Sequence, residues 1–135
     1  MPDKHVLDIT GLVIEATSCP PGEKPCTVTL VRGVDLKLER GKVLGLLGES
    51  GAGKSVTGLA VIGLIDPPGR ISGGEIYLSG MRIDNLPPEE VRRIRGKRIG
   101  MIFQDPLTSL NPLYRIGDQI VETIRTHLNL SEQAA

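Results

Sequence analysis

One stretch, Gly48-Glu49-Ser50-Gly51-Ala52-Gly53-Lys54-Ser55, constrains this chain more than any other. It follows the apolar run Val43-Leu44-Gly45-Leu46-Leu47, which reads as a strand covered on both faces. It precedes Lys54 to Ile65, whose apolar positions read as a helix ended by Asp66-Pro67-Pro68-Gly69. Glycines between a buried strand and a helix let successive backbone N–H groups point into one small concavity, where side chains would collide. Phosphate oxygens suit such a concavity. Gly48, Gly51 and Gly53 keep it open, with Glu49, Ser50 and Ala52 filling the intervening positions. Lys54 adds a point charge for β- and γ-phosphates, and the Ser55 hydroxyl suits a Mg²⁺ shell. The spacing G-x-x-x-x-G-K-[ST] arises by chance at roughly one position in 30,000. In 135 residues it points to nucleotide binding.

The rest of the chain excludes several alternatives. Sixteen basic and 16 acidic side chains cancel, so no overall field favours nucleic acid or an anionic membrane. No apolar run approaches the roughly 18 residues of a spanning helix, and MPDKHVLDIT lacks a secretory apolar stretch, so the chain reads as cytosolic. Cys19 and Cys26 flank a Pro- and Gly-rich loop, while His5 and His127 are far off, so no zinc ligand set forms. A disulfide could close that loop; a cytosolic setting favours two reduced thiols.

Residues 6–16 and 27–39 read as antiparallel strands, because Val34, Leu36 and Leu38 alternate with polar neighbours. Residues 75–83 read as a hairpin around Ser79-Gly80. Residues 87–96 read as a short helix, 98–103 as a second buried strand and 113–130 as an amphipathic helix. That second strand delivers Gln104 into QDPLTSLNP. Ligands of open parallel sheets sit beyond the carboxyl ends of strands, so Gln104 is a candidate for the same phosphates. An amide that both accepts and donates suits holding Mg²⁺ or an attacking water.

Together GLLGESGAGKSVTGLAVIGLI, ISGGEIYLSG and RGKRIGMIFQDPLTSLNP resemble the ATP-binding subunit of ABC transporters, in the branch serving peptide and nickel importers; the likeness runs from about Leu7 to Ser131. The resemblance implies an α/β fold, a P-loop NTPase (RecA-like) ABC nucleotide-binding domain, here truncated, with an antiparallel β subdomain. Its parts would be 6–47 (antiparallel region and core strand), 48–66 (Walker A loop and helix), 71–104 (hairpin, short helix and strand to the Q-loop) and 105–135 (start of the helical subdomain). It implies ATP and Mg²⁺ as cofactors, with Gly48 to Ser55 and Gln104 as binding residues and Ser55 and Gln104 as metal ligands. It also implies permease subunits and a second nucleotide-binding subunit as partners, and a peripheral place at the cytoplasmic face of the inner membrane, touched only through partners.

Two departures from that family are visible. Its early strands usually carry an aromatic residue that stacks on adenine, yet no Phe, Tyr or Trp precedes Tyr77, and Ala16 stands at about that place. Loss of such a platform costs roughly 1 to 3 kcal/mol by analogy with base stacking elsewhere, so phosphate-dominated, weakly base-selective binding is expected. The family's Walker B carboxylate, catalytic glutamate, LSGGQ signature and switch histidine lie later than QDPLTSLNP, so no catalytic residue is assigned here beyond a water- or Mg²⁺-positioning role for Gln104. The expectation is a subunit, or an N-terminal fragment of one, that couples ATP binding and hydrolysis to import of peptides or similar solutes. A non-hydrolysing remnant is the alternative. A GTPase or small-molecule kinase is disfavoured, since a GTPase would carry an Asn-Lys-x-Asp guanine reader.

Three look-alikes are set aside. ISGGE (71–75) leads into a strand instead of capping a helix. VIGLID (61–66) continues a helix into a breaker, and Asp105-Pro106 reads as a turn former. Glu89 and Glu90 open the same short helix whose last turn the arginines fill, and Glu89 sits four residues before Arg93. Arg92, Arg93, Arg95, Lys97 and Arg98 therefore read as a solvated helix face, not as a nucleic-acid site.

Overall fold

The computed structural model describes residues 4–19, 21–22, 24–104, 109–131 and 133–135. Asp105 and Pro106 lie outside them. The chain divides into two compact units, Met1–Pro87 and Pro88–Ala135.

In the first unit four strands, β1 (His5–Ser18), β2 (Cys26–Glu39), β3 (Gly69–Leu78) and β4 (Met81–Arg82), form one antiparallel sheet in the order β2-β1-β3-β4. β1 is central because its inward residues Ile9, Leu12 and Ile14 are wholly buried, against Val31 of β2 and Ile76 and Leu78 of β3 in the same core. Ile9 and Leu12 are three apart, which strict alternation forbids. The register shifts against β2 between Ile9 and Leu12 and against β3 between Thr10 and Val13, so the extra residue falls about Gly11. Asp35 Oδ1 accepts the Gly11 N–H at 2.7 Å, satisfying an amide near the irregularity. A Cβ on Gly74 would lie 2.5 Å from the Gly11 carbonyl, so only glycine lets β3 pass so close. That crowding explains Gly74 of ISGGE, whereas a Cβ on Gly73 would make only ordinary contact with Val13 at 3.6 Å; both glycines lie within β3, as their strand-like context indicates.

Ser79 (φ 48°) and Gly80 (φ 77°) turn β3 into β4 with both central residues left-handed, the twist a two-residue hairpin favours. Beside this turn Arg82 bridges two acids, donating to Glu75 Oε1 at 2.6 Å and to Asp84 Oδ2 at 2.9 Å. Asp84 Oδ1 also accepts the Ile76 N–H at 2.8 Å. Burial works against charge on Asp84, whose side chain is 7% exposed, but the Arg82 guanidinium and the backbone amides outweigh it and hold its carboxyl below the ordinary range. The Tyr77 hydroxyl donates to Glu75 Oε2 at 2.8 Å, and that bond pushes its ionisation up.

Helix α1 (Lys54–Val61) buries Thr57 and Ala60. It stops four residues earlier than the sequence reading to Ile65. Gly63 (φ 65°) donates to Ala60 O at 3.0 Å and Leu64 to Leu59 O at 2.8 Å, the paired bonds of a Schellman cap. Gly63 therefore ends the helix before Asp66-Pro67 is reached.

The second unit contains α2 (Pro88–Ile94) and α3 (Ile116–His127), with one parallel bridge between Arg95 and Ile99. Only Arg92 and Arg93 of the basic cluster lie in the last turn of α2; Arg95, Lys97 and Arg98 follow the helix, correcting the reading of one helical face. The loop before α3 is held by Gln119, which accepts from the Asn111 N–H at 2.9 Å and donates to the Asn111 and Tyr114 carbonyls at 3.0 and 3.1 Å. No residue of α3 is buried.

The two segments read as buried parallel strands do not form strands. Val43–Leu47 has no ladder, and Val43 and Leu47 are each 98% exposed. Residues 98–103 make only the single bridge at Ile99, and Ile102 is 93% exposed. Their composition suits the middle of a sheet, but a strand needs neighbours to take its N–H and C=O groups. Among the described residues neither segment has such neighbours.

Candidate functional site

The loop Gly48–Ser55 enters from exposed, irregular chain and ends in the first turn of α1. Gly51 (φ 81°) and Gly53 (φ 84°) are both left-handed. Gly53 is also enclosed: a Cβ there would lie 2.8 Å from Leu30 O and 3.0 Å from Val31 Cγ2. The loop thus rests on β2 through a position that admits no side chain. Behind it, Thr57 donates to Gly53 O from both its N–H (2.8 Å) and its hydroxyl (2.9 Å). The sequence reading did not single out Leu30, Val31 or Thr57. A hydroxyl residue four positions after the last loop glycine was the available signal for Thr57, since such residues bond the i−4 carbonyl; contact from β2 had no local signal.

Lys54 folds back over the loop. Its Nζ donates to the Gly48 and Glu49 carbonyls, both at 2.7 Å. The Ala52 N–H closes the loop's turn on Glu49 O at 3.2 Å. A Cβ on Gly48 would sit 3.3 Å from Ala52 Cβ and 3.8 Å from Lys54 Nζ, so that glycine keeps the inside of the loop clear. At the start of α1 no side chain caps the helix and no acid occupies its first turn. The positive end of the helix dipole is left without an internal counter-charge, beside an ammonium group. Ser55 lies exposed in the same turn.

This arrangement suits a compact polyanion. Loop and helix amides offer donors, Lys54 supplies a cation already seated against oxygen atoms, and Ser55 offers a hard oxygen ligand. The residues brought together are Gly48, Glu49, Ser50, Gly51, Ala52, Gly53, Lys54 and Ser55. Gln104 belongs to the second unit, where it is exposed at a bend. Ala16 pairs with Val28 on β2 and Gly69 on β3 near the end of β1. Among the described residues no helix is long and apolar enough to cross a membrane.

A glycine-bounded loop that opens a helix against an antiparallel sheet is the arrangement of a P-loop domain. The solved dimeric structure of MJ0796, a bacterial ABC transporter cassette, superposes with a TM-score of 0.71 over 93% of this chain and 49% of that one, at 24% identity. A family model described as ABC transporter matches residues 31–135, and the chain belongs to that family. Among its relatives, the oligopeptide transport ATP-binding protein OppD of Bacillus subtilis is 48% identical over 109 residues, which cover 80% of this chain and 30% of that protein. OppD of Salmonella typhimurium is 45% identical over 99% of this chain and 38% of its own length. The dipeptide transport ATP-binding protein DppD of Escherichia coli is 40% identical over 86% of this chain and 36% of its own length. The chain thus spans about a third of the length of these relatives.

Proposed function

We propose that this chain is the nucleotide-holding part of an ATP-binding subunit in an importer of peptides or similar solutes. The loop observation carries the reading: a left-handed glycine seated on β2, an uncapped helix start and Lys54 bound to two loop carbonyls. The relatives' names, which specify oligopeptide and dipeptide transport, support the solute class. The Gly48–Ser55 amides and Lys54 hold the phosphates of ATP. Mg²⁺ bound with the nucleotide would find a hard oxygen ligand in the exposed Ser55 hydroxyl. ATP hydrolysis and its coupling to transport belong to the whole subunit, working with permease subunits and a second nucleotide-binding subunit at the cytoplasmic face of the membrane.

Ala16 gives this reading a specific content. A methyl group offers no stacking face for adenine, so the phosphates dominate recognition. A fluorescent ATP analogue should bind in the presence of Mg²⁺ and be displaced by ATP, GTP and inorganic tripolyphosphate at concentrations within about tenfold of one another. Placing an aromatic residue by Ala16→Tyr should favour ATP over tripolyphosphate. Displacement by ATP but not by tripolyphosphate or GTP would contradict the phosphate-dominated site.

A further inference from the structure

The loop between β1 and β2 carries two thiols that the nucleotide reading does not use. Cys19 and Cys26 are both free and exposed. The last stretch of the β1–β2 ladder is in unbroken register, from Glu15 opposite Thr29 through Ala16–Val28 and Thr17–Thr27 to Ser18 opposite Cys26. Cys26 is thus the first residue of β2, and Cys19 follows directly the residue paired with it. Ser18 is the residue directly opposite Cys26, and Cys19 stands one residue diagonal to it. Opposed Cα atoms lie about 4.5 to 5.5 Å apart and one residue adds about 3.4 Å along the strand, which keeps the diagonal pair roughly within the 4.4 to 6.8 Å that disulfides span. Strand alternation would turn Cys19 to the face opposite Cys26, but Cys19 follows the last ladder residue, so rotation about its own backbone can bring its sulfur to Cys26 without breaking a cross-strand pair. The loop end of the hairpin has a further tie, since the Thr17 N–H donates to Pro68 O at 3.3 Å.

We propose that Cys19 and Cys26 form a redox modification site, a dithiol that a low-mass disulfide such as oxidised glutathione converts into an intrachain bridge clamping the β1–β2 hairpin. One cysteine thiolate attacks a sulfur of the oxidant, forming a mixed disulfide and expelling one low-mass thiolate. The other cysteine thiolate then attacks the protein sulfur of that mixed disulfide, forming the Cys19–Cys26 bond and expelling the second. Two protein thiols give up two protons and two electrons, and one oxidant molecule becomes two thiols. The ring closed in this way runs from Cys19 to Cys26, and it restricts the unfolded chain more than a hairpin whose ends are already paired. The clamped strand is also the one whose Leu30 and Val31 back Gly53, so the modification acts on the support of the phosphate loop. In a reducing compartment the pair stays open, and oxidation closes it.

The test is independent of nucleotide binding. The full chain is incubated with oxidised glutathione, unreacted thiols are alkylated under acid quench, and intact mass and peptide mapping are read. The expected product is a monomer lighter by two hydrogens, unalkylated at both cysteines, yielding one cross-linked peptide pair and melting a few degrees higher until dithiothreitol reverses it. Cys19→Ser and Cys26→Ser should each stop at a stable glutathione adduct on the remaining thiol. The proposal is overturned if the wild-type chain accumulates two separate adducts, forms only interchain bridges, or closes internally without a change in melting. The wild-type mass result stands whether or not either variant folds.

Discussion

Gly53 and Gly51 share a left-handed backbone but not a surrounding, and that difference predicts unequal costs. Gly51→Ala meets open space and bears only the conformational penalty, about 1 kcal/mol. Gly53→Ala also drives a methyl group into Leu30 O and Val31 Cγ2, so it should cost about 2 to 4 kcal/mol and displace the loop. Urea unfolding of the two variants checks the order; equal losses would contradict the packing of the loop on β2. A second residue-scale prediction concerns acid. Asp84 has its carboxyl pKa held below the unfolded value, so it contributes stability above that value, which is lost as pH falls through the folded one. The wild-type chain should therefore lose stability as pH drops below about 4, and Asp84→Asn should flatten that slope while costing about 1 to 3 kcal/mol near neutrality. Denaturant midpoints measured from pH 7 downward read both effects.

Among the elements, the hairpin strands and the glycine-bounded turn into α1 were legible because their signals are local. Alternation marked β1 and β2, Ser79-Gly80 marked the β3–β4 turn, and Gly48, Gly51, Gly53 and Lys54 marked the loop. The end of α1 was misplaced because Asp66-Pro67-Pro68 is a louder breaker than Gly63, yet Gly63 closes the helix first through its Schellman bonds. Gly63→Ala should cost about 1 kcal/mol and raise amide exchange at Val61 to Leu64, read by hydrogen–deuterium exchange. Val43–Leu47 and residues 98–103 were misread for a different reason. Strand propensity is a property of the segment, but a strand is a property of its neighbours, and neither segment finds a ladder among the described residues. Exposed apolar segments with free backbone groups template association. The chain should self-associate in sedimentation velocity, and the double substitution Val43→Lys, Leu47→Glu should shift it toward monomer. A monomeric wild-type chain would contradict this.

At the scale of the molecule, the antiparallel sheet and α1 support the Gly48–Ser55 loop through Gly53 and Thr57. The buried residues Ile9, Leu12, Ile14 and Ile76 lie in that sheet, and Gly53 rests on its β2 edge. The Q-loop role of Gln104 was read from family resemblance and position, and it stands as a proposal because Gln104 belongs to the other unit. In the proposed reading, nucleotide binding depends first on the loop and its sheet. The most direct test is calorimetric titration of the folded chain with ATP in the presence and absence of Mg²⁺, beside Lys54→Ala with its fold verified by circular dichroism. The account predicts saturable, Mg²⁺-dependent binding that weakens at least about tenfold when Lys54 is removed, a loss of roughly 1.4 kcal/mol or more. Binding of equal strength in Lys54→Ala, or no binding by the folded wild-type chain, would contradict it.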